Sequence, residues 1–355
     1  VKTHPARAAR VALMHTWQST QTEGWWRQAL DFNGVDYDYI SVQDVAKNNN
    51  LRGKYDVILF APGGGNGQGI IDGLPMWRNP MPWKKSSETP NLGGFAETDD
   101  IRPGLGWEGL MNLEKFVRDG GVYVGAVGSA NFAVQFGLTQ GVSTNSAGTG
   151  SRVVGSLLRT RLVDDASPIV YGIPDNLAVY SDSGASFSVN AGAGGGRGGG
   201  GGGAAAGGAG RGGGPGPRAT GRGTPDDVDQ PQGMPQLNPR NVAPAARPAP
   251  AAWEYAIPTE EQLKTPLNII PPAQRPRVAL RFADQNQLLV SGLLSGGGDI
   301  AQRPVVVDVP VDNGHVVLFA NNPIWRGETI GSYFMVWNAI LNFDSLNAGR
   351  KLDAR

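Results

Sequence analysis

The chain has 355 residues, room for one large domain or two ordinary ones, and 40% of them are hydrophobic, enough for a sizeable core. Its 31 Lys and Arg balance 31 Asp and Glu, which argues against a nucleic-acid or anionic-membrane partner held by bulk electrostatics. There is no cysteine, so disulfides, thiolate zinc sites and cysteine-nucleophile mechanisms are excluded together.

No run approaches the ~20 apolar residues that a membrane span needs. The chain opens on Val1 with no signal-peptide pattern. It reads either as a processed piece of a longer protein or as a chain numbered from a chosen start.

Arg10-Val-Ala-Leu-Met-His15 is a short apolar run, read as a buried strand, and a helix follows over 23–32 with Trp25, Trp26, Ala29 and Leu30 at helical spacing. Residues 37–41 and 55–61 read as the second and third strands. A helix over 107–118 places Leu110, Leu113, Phe116 and Val117 on one face. It stops at Asp119-Gly120-Gly121, where glycine tolerates the positive φ of a helix end. Val122 to Val127 is a fourth strand, and 130–136 a short helix. This alternation predicts parallel pairing through right-handed crossovers. Strands apolar along their whole length predict a sheet covered on both faces. The expected core is α/β, a flavodoxin-like, doubly wound, mostly parallel sheet.

Two insertions interrupt it. Residues 62–104 hold Pro62-Gly63-Gly64-Gly65, Trp77 and Trp83, and are too long for an ordinary connection. They read as a functional loop or lid, or as a surface loop pinned by its tryptophans. Residues 190–252 open on a Gly/Ala/Arg tract and close on Pro/Ala-rich sequence. They hold too little apolar surface to offset their ordering entropy, so a flexible or extended loop is expected. Arg197, Arg211, Arg218 and Arg222 make this tract weakly basic. Without aromatics to stack on bases, no nucleic-acid partner is assigned. Strands resume over 277–282, 287–290, 304–309 and 315–320, with Asp312-Asn313-Gly314 a hairpin signal between the last two. A final amphipathic helix over 328–343 is expected to turn Tyr333, Phe334, Val336, Trp337, Ile340 and Leu341 inward. One discontinuous domain, 1–189 with 253–348, then carries both insertions.

Reactive positions of such a sheet lie at the carboxyl ends of its strands. Val127-Gly128-Ser129-Ala130-Asn131 resembles a nucleophile elbow, the turn where a class I glutamine amidotransferase carries its Cys. The register offers Gly128 or Ser129. Ser129 needs an adjacent base to react and is otherwise a helix N-cap. Asn322-Pro323-Ile324 stands where those enzymes carry His-Pro-Glu. Asn322 cannot exchange a proton near neutral pH, and Ile324 cannot orient a base. Gly63, Gly64 and Gly65 offer backbone N–H groups for an oxyanion hole or anion nest, or form a plain turn. His4, His15 and His315 belong to no H-x-x-E or H-E-x-x-H arrangement, so no metal site is assigned. His15, ending the first strand, either faces a pocket or is simply hydrogen-bonded. The pairs Asp164-Asp165 and Asp226-Asp227 lack partners at glycosidase spacing. No catalytic residue is assigned. The candidate binding residues are Gly63, Gly64, Gly65, Ser129, His15, Trp17 and Trp25.

Several segments, in order, carry a wider resemblance: Arg10 to Trp17, Thr22 to Arg27, Tyr55 to Leu59, Gly106 to Gly121, Gly128 to Ala130, Gly155 to Arg159, Pro168 to Pro174 and Gly314 to Phe319. Together they resemble the C-terminal region of large bacterial zinc carboxypeptidase-like proteins of the carboxypeptidase A superfamily. There an amidotransferase-like domain follows a secreted peptidase domain. The resemblance implies a secreted, periplasmic or cell-surface parent with zinc in its peptidase domain. The zinc motif has no counterpart in this chain, so no cofactor is expected here and no catalytic residue is carried over. The Gly-rich tract departs from the family pattern.

The function expected from this is a noncatalytic accessory module that binds its own peptidase domain, another protein or a second copy. Trp17, Trp25, Trp26, Trp77, Trp83 and Trp107 either build a binding surface or fill core. Two other readings stand beside it. One is a residual hydrolase using Ser129 with His15 or His315 as base. The other is a self-assembling structural protein, which zero net charge permits.

Overall fold

The computed structural model describes residues 6–18, 20–63, 67–77, 79–148, 150–190 and 269–351. His4, Gly64, Gly65 and all but the first residue of the 190–252 insertion lie outside the described residues. Strand β1 (Val11–His15) is buried at every position. Helix α1 (Gln21–Phe32) turns Glu23, Trp26, Ala29 and Leu30 inward. Strand β2 (Asp38–Ser41) runs into α2 (Val42–Lys47), where Ser41 and Asp44 form a capping box that satisfies donors at the helix start. After α3 (Leu51–Lys54) come β3 (Val57–Phe60), a short α4 (Gly67–Asp72), α5 (Gly106–Arg118), β4 (Val122–Ala126) and α6 (Gly128–Gln135). On α5 the buried stripe is Leu110, Leu113, Phe116 and Val117, as the spacing predicts.

The second half adds β5 (Val142–Asn145), β6 (Arg152–Leu162), β7 (Ala178–Ser181) and β8 (Ser186–Val189). None of these four was anticipated, because polar and small residues interrupt their alternation. Then follow β9 (Arg277–Phe282), β10 (Leu289–Ser295), β11 (Pro304–Val311), β12 (Gly314–Phe319) and α7 (Ile330–Leu341).

The main sheet has the order β10-β6-β9-β11-β12-β4-β3-β1-β2, with β7 paired to β6; β5 and β8 form a separate pair. From β12 to β2 every neighbour is parallel. The order β2-β1-β3-β4-β12 in that half is that of the flavodoxin-like doubly wound sheet. Beyond β12 the pairing is antiparallel. The cause is local: β11 and β12 meet at Asp312-Asn313, with Asp312 at φ 50°, and so tight a turn joins only antiparallel strands.

One expectation is corrected. On α7, Phe334 (53% exposed) and Leu341 (58%) face solvent, while Tyr333, Met335, Val336, Ala339 and Ile340 pack inward and Trp337 is half-buried. Positions 334 and 341 lie seven residues apart, two turns along one outward stripe. In the 62–104 insertion, Trp77 is 72% exposed and Trp83 is exposed. Polar and backbone contacts hold the loop. The buried guanidinium of Arg102 grips Asp100 at 2.6 Å and the Met76 carbonyl at 3.1 Å. Bridges join Gly73 to Pro103 and Trp83 to Thr98. Gly73 has φ 72°, and a Cβ there would lie 2.0 Å from the Arg102 carbonyl oxygen, so the loop's neck closes only on glycine.

Candidate functional site

The carboxyl ends of β1, β3, β4 and β12 come together, since Met14 pairs with Phe60, Phe60 with Gly125, and Phe319 with Ala126. Just past β4, Val127 has φ 51° and ψ −106°. A β-branched residue at positive φ is a genuine outlier, and such strain persists only where its surroundings impose it. Here they do. Val127 N–H donates to the Phe319 carbonyl at 2.8 Å, and its own carbonyl accepts from Asn131 N–H at 2.9 Å. This strained strand-to-helix turn is the geometry of a nucleophile elbow. Its bent residue stands one position before the two the sequence offered, because Gly128 and Ser129 already belong to the first turn of α6.

Ser129 is fully buried. Its hydroxyl donates to the Phe60 carbonyl at 2.5 Å and accepts from Ala126 N–H at 2.8 Å. It therefore ties β3 to β4 and points at no open space. A Cβ on Gly128 would lie 2.8 Å from the Gly63 carbonyl oxygen, so the turn after β3 presses on the elbow. Gly63 is half-buried there.

Asn322, which the sequence reading set against the amidotransferase base, is buried. Its Oδ1 accepts from Trp26 Nε1 at 3.1 Å and from Ile324 N–H at 3.3 Å. The amide locks α1 to the segment after β12. His315 lies at the opposite pole, opening β12 in register with Val122. Its Nδ1 is 2.7 Å from Asp308, which also receives Arg350 at 3.1 Å. A strand of that length is ~16 Å. His315 therefore cannot serve Ser129 as a base, and the hydroxyl is committed elsewhere.

His15 is a sequence candidate with an unpartnered polar atom. It is 2% exposed. Its ring stacks on Tyr39 at 4.0 Å, with Trp17 edge-on at 4.9 Å. Nδ1 lies 3.0 Å from the Thr16 carbonyl oxygen. A carbonyl only accepts, so the proton belongs on Nδ1 and Nε2 carries a lone pair. That Nε2 is buried and without a partner. Burial lowers the imidazole pKa to about 4, so the ring is neutral. Trp17 Nε1 and both amide atoms of Asn321 are also buried and unpartnered. Trp25 is half-buried on α1.

Glu23 was missed. It is buried, burial raises its carboxyl to about 7, and its Oε2 accepts from the Tyr39 hydroxyl at 2.8 Å. The guanidinium of Arg27 lies over the same tyrosine, 4.6 Å from its ring centre. The signal was present: Glu23 sits three residues before Trp26 on the inward stripe of α1, where a carboxylate is out of place. His15, Glu23, Phe60, Pro62 and Gly63 line one small cavity of about 10 Å³, the room of a single water.

Among the described residues there is no group of three or more His, Cys, Asp or Glu arranged to hold a metal ion. None of their helices is long and apolar enough to cross a membrane.

No protein-family profile and no curated protein matches the chain. Several solved structures align with it loosely. A ThuA-like protein from Parabacteroides merdae aligns over 97% of this chain and 93% of its own, at 10% identity and a TM-score of 0.44. PurLQS from Thermotoga maritima aligns over 95% and 99%, at 11% identity and 0.44. A glutamine amidotransferase from the same organism covers 52% of this chain and 64% of its own, at 13% identity and 0.32. At these identities and TM-scores the alignments speak neither to a common family nor to activity.

Proposed function

We propose that the chain is a noncatalytic binding module on an amidotransferase-like scaffold, with its ligand site at the carboxyl ends of the parallel strands. The elbow carries this reading. Position 127 is held in the strained geometry that serves a nucleophile, and the side chain there is valine, which has no nucleophilic atom. Asn322 and Ser129 are bound into the scaffold. The buried polar atoms left over, on His15, Trp17 and Asn321, favour a site that binds over one that reacts.

An exposed apolar stripe on α7, formed by Ile330, Phe334 and Leu341, supports a protein partner as well. The partner that fits the sequence resemblance is the peptidase domain of a secreted zinc carboxypeptidase-like parent, whose zinc stays in that domain.

Three measurements test the reading. A fluorophosphonate and a glutamine-mimicking electrophile are expected to leave the chain unlabelled, and covalent capture at Ser129 overturns the noncatalytic assignment. Tryptophan fluorescence titrated with cationic, neutral and anionic small molecules is expected to respond to one class; silence to all three removes the binding site. Coding sequence upstream of Val1 without an H-x-x-E motif removes the peptidase parent.

A further inference from the structure

The cavity between the end of β1, helix α1 and the turn after β3 has a definite chemical bias. Its two buried polar side chains are His15 and Glu23, both of them acceptors when the carboxyl is ionised. Nε2 of His15 presents a lone pair to no donor, and a buried polar atom left unpaired is unfavourable. The Glu23 carboxyl receives a hydrogen bond from Tyr39 on one oxygen. The space is about 10 Å³. It admits one group of water's size and excludes a guanidinium or a quaternary ammonium. The rim residues Thr16, Gln18, Thr20 and Gly63 are half-buried or exposed, so an attached chain can leave there.

We propose that this cavity binds a primary ammonium group, either ammonium itself or the –NH₃⁺ end of an aliphatic amine, sharing its N–H donors between Nε2 of His15 and the carboxylate of Glu23. This assignment rests on the binding reading above and names the ligand class. A water-sized cation with several donors is the group that satisfies both acceptors, adding charge-assisted bonds to a buried carboxylate that Arg27 neighbours and Tyr39 bonds on one oxygen.

The groups facing the pair are Arg27 on α1, Tyr39 on β2 and Asp44 on α2. In that setting burial holds the Glu23 carboxyl near 7 and the imidazole near 4. At neutral pH the imidazole is an acceptor and the carboxyl is at mid-titration. The cation binds the ionised carboxyl, so its affinity is expected to fall about tenfold from pH 8 to pH 6.

The test is a titration of the full chain with ammonium chloride and methylammonium chloride, followed by tryptophan fluorescence and calorimetry at pH 6 and 8. Potassium chloride and methanol are the controls for charge without donors and for a donor without charge. Saturation by methylammonium with the tenfold pH effect is expected, together with at least a tenfold loss in Glu23→Gln and in His15→Phe. Saturation by ammonium but not methylammonium assigns the free ion; saturation by both assigns an amine end. Equal binding of potassium or methanol, or a pH-independent affinity, overturns the proposal while leaving a binding site in place. No response to any of the four overturns it too, and a response to other neutral or anionic molecules in the wider titration then still separates it from the binding reading.

Discussion

His15 and Glu23 make opposite contributions to stability as the pH changes, and removing either one should expose the other. Burial lowers the imidazole from 6.5 to about 4. Between those values the unfolded chain holds a proton that the folded chain does not, so stability falls as the pH falls. Burial raises the carboxyl from 4.5 to about 7. Between those values the folded chain holds the extra proton, so stability rises as the pH falls and is lost as the pH rises through 7. Each shift corresponds to about 3 kcal/mol. Over the shared window the two slopes cancel, and the wild-type pair contributes a nearly flat profile.

Glu23→Gln keeps an acceptor for the Tyr39 hydroxyl and removes the titration. Relative to wild type it should lose about 3 kcal/mol between pH 7.5 and 4.5. His15→Asn removes the opposing titration and should gain about 3 kcal/mol relative to wild type over a similar span. Urea unfolding of the three proteins at several pH values measures this, and taking differences cancels every other titrating group. If the Glu23→Gln and wild-type curves run parallel, the carboxyl is not buried against Tyr39 as described and the reasoning fails.

The elbow assignment has a direct chemical test, because the chain has no cysteine to confuse it. Val127→Cys should alkylate readily, with a thiol pKa below the free value of about 8.5 at the start of α6, whereas Ser129→Cys should stay inert in the folded chain; the reverse order moves the elbow. Ser129→Ala leaves Ala126 N–H without its acceptor and should cost about 1–3 kcal/mol in urea unfolding; an unchanged midpoint means the hydroxyl is not the tie between β3 and β4. Asp56 is buried and receives Arg10 at 2.9 Å and Arg52 at 2.5 Å. Burial alone raises its carboxyl, but these bonds outweigh it and hold the group well below the usual carboxylate range. Asp56→Ala should cost about 3–5 kcal/mol at pH 7. That gap should narrow as the pH falls below about 4, where the unfolded carboxylate takes up its proton; a pH-independent gap refutes the ion-pair account.

Much of the parallel half was legible in the sequence, because strands buried on both faces are apolar at nearly every position and need no partner to be recognised. Val11–His15, Val57–Phe60 and Val122–Ala126 are of this kind. The strands of 142–189 were not legible, since β6 alternates buried and exposed positions irregularly and carries Gly155 and Ser156 in its middle. The outward stripe of α7 was misassigned, as hydrophobicity alone does not say which apolar residues of a helix meet the sheet.

At the candidate site, residue type alone already excluded cysteine chemistry and a His base after β12, and it placed His15 at a strand end. The bent residue at 127, the commitment of Ser129 to Phe60, and the placing of His15 and Glu23 on one cavity were decided only by tertiary structure. A one-residue difference in where a strand yields to a helix follows from hydrogen bonds to neighbouring strands, such as Val127 to Phe319. The titration of Glu23 and the lone pair of His15 follow from burial by residues distant in the chain, which no local pattern records.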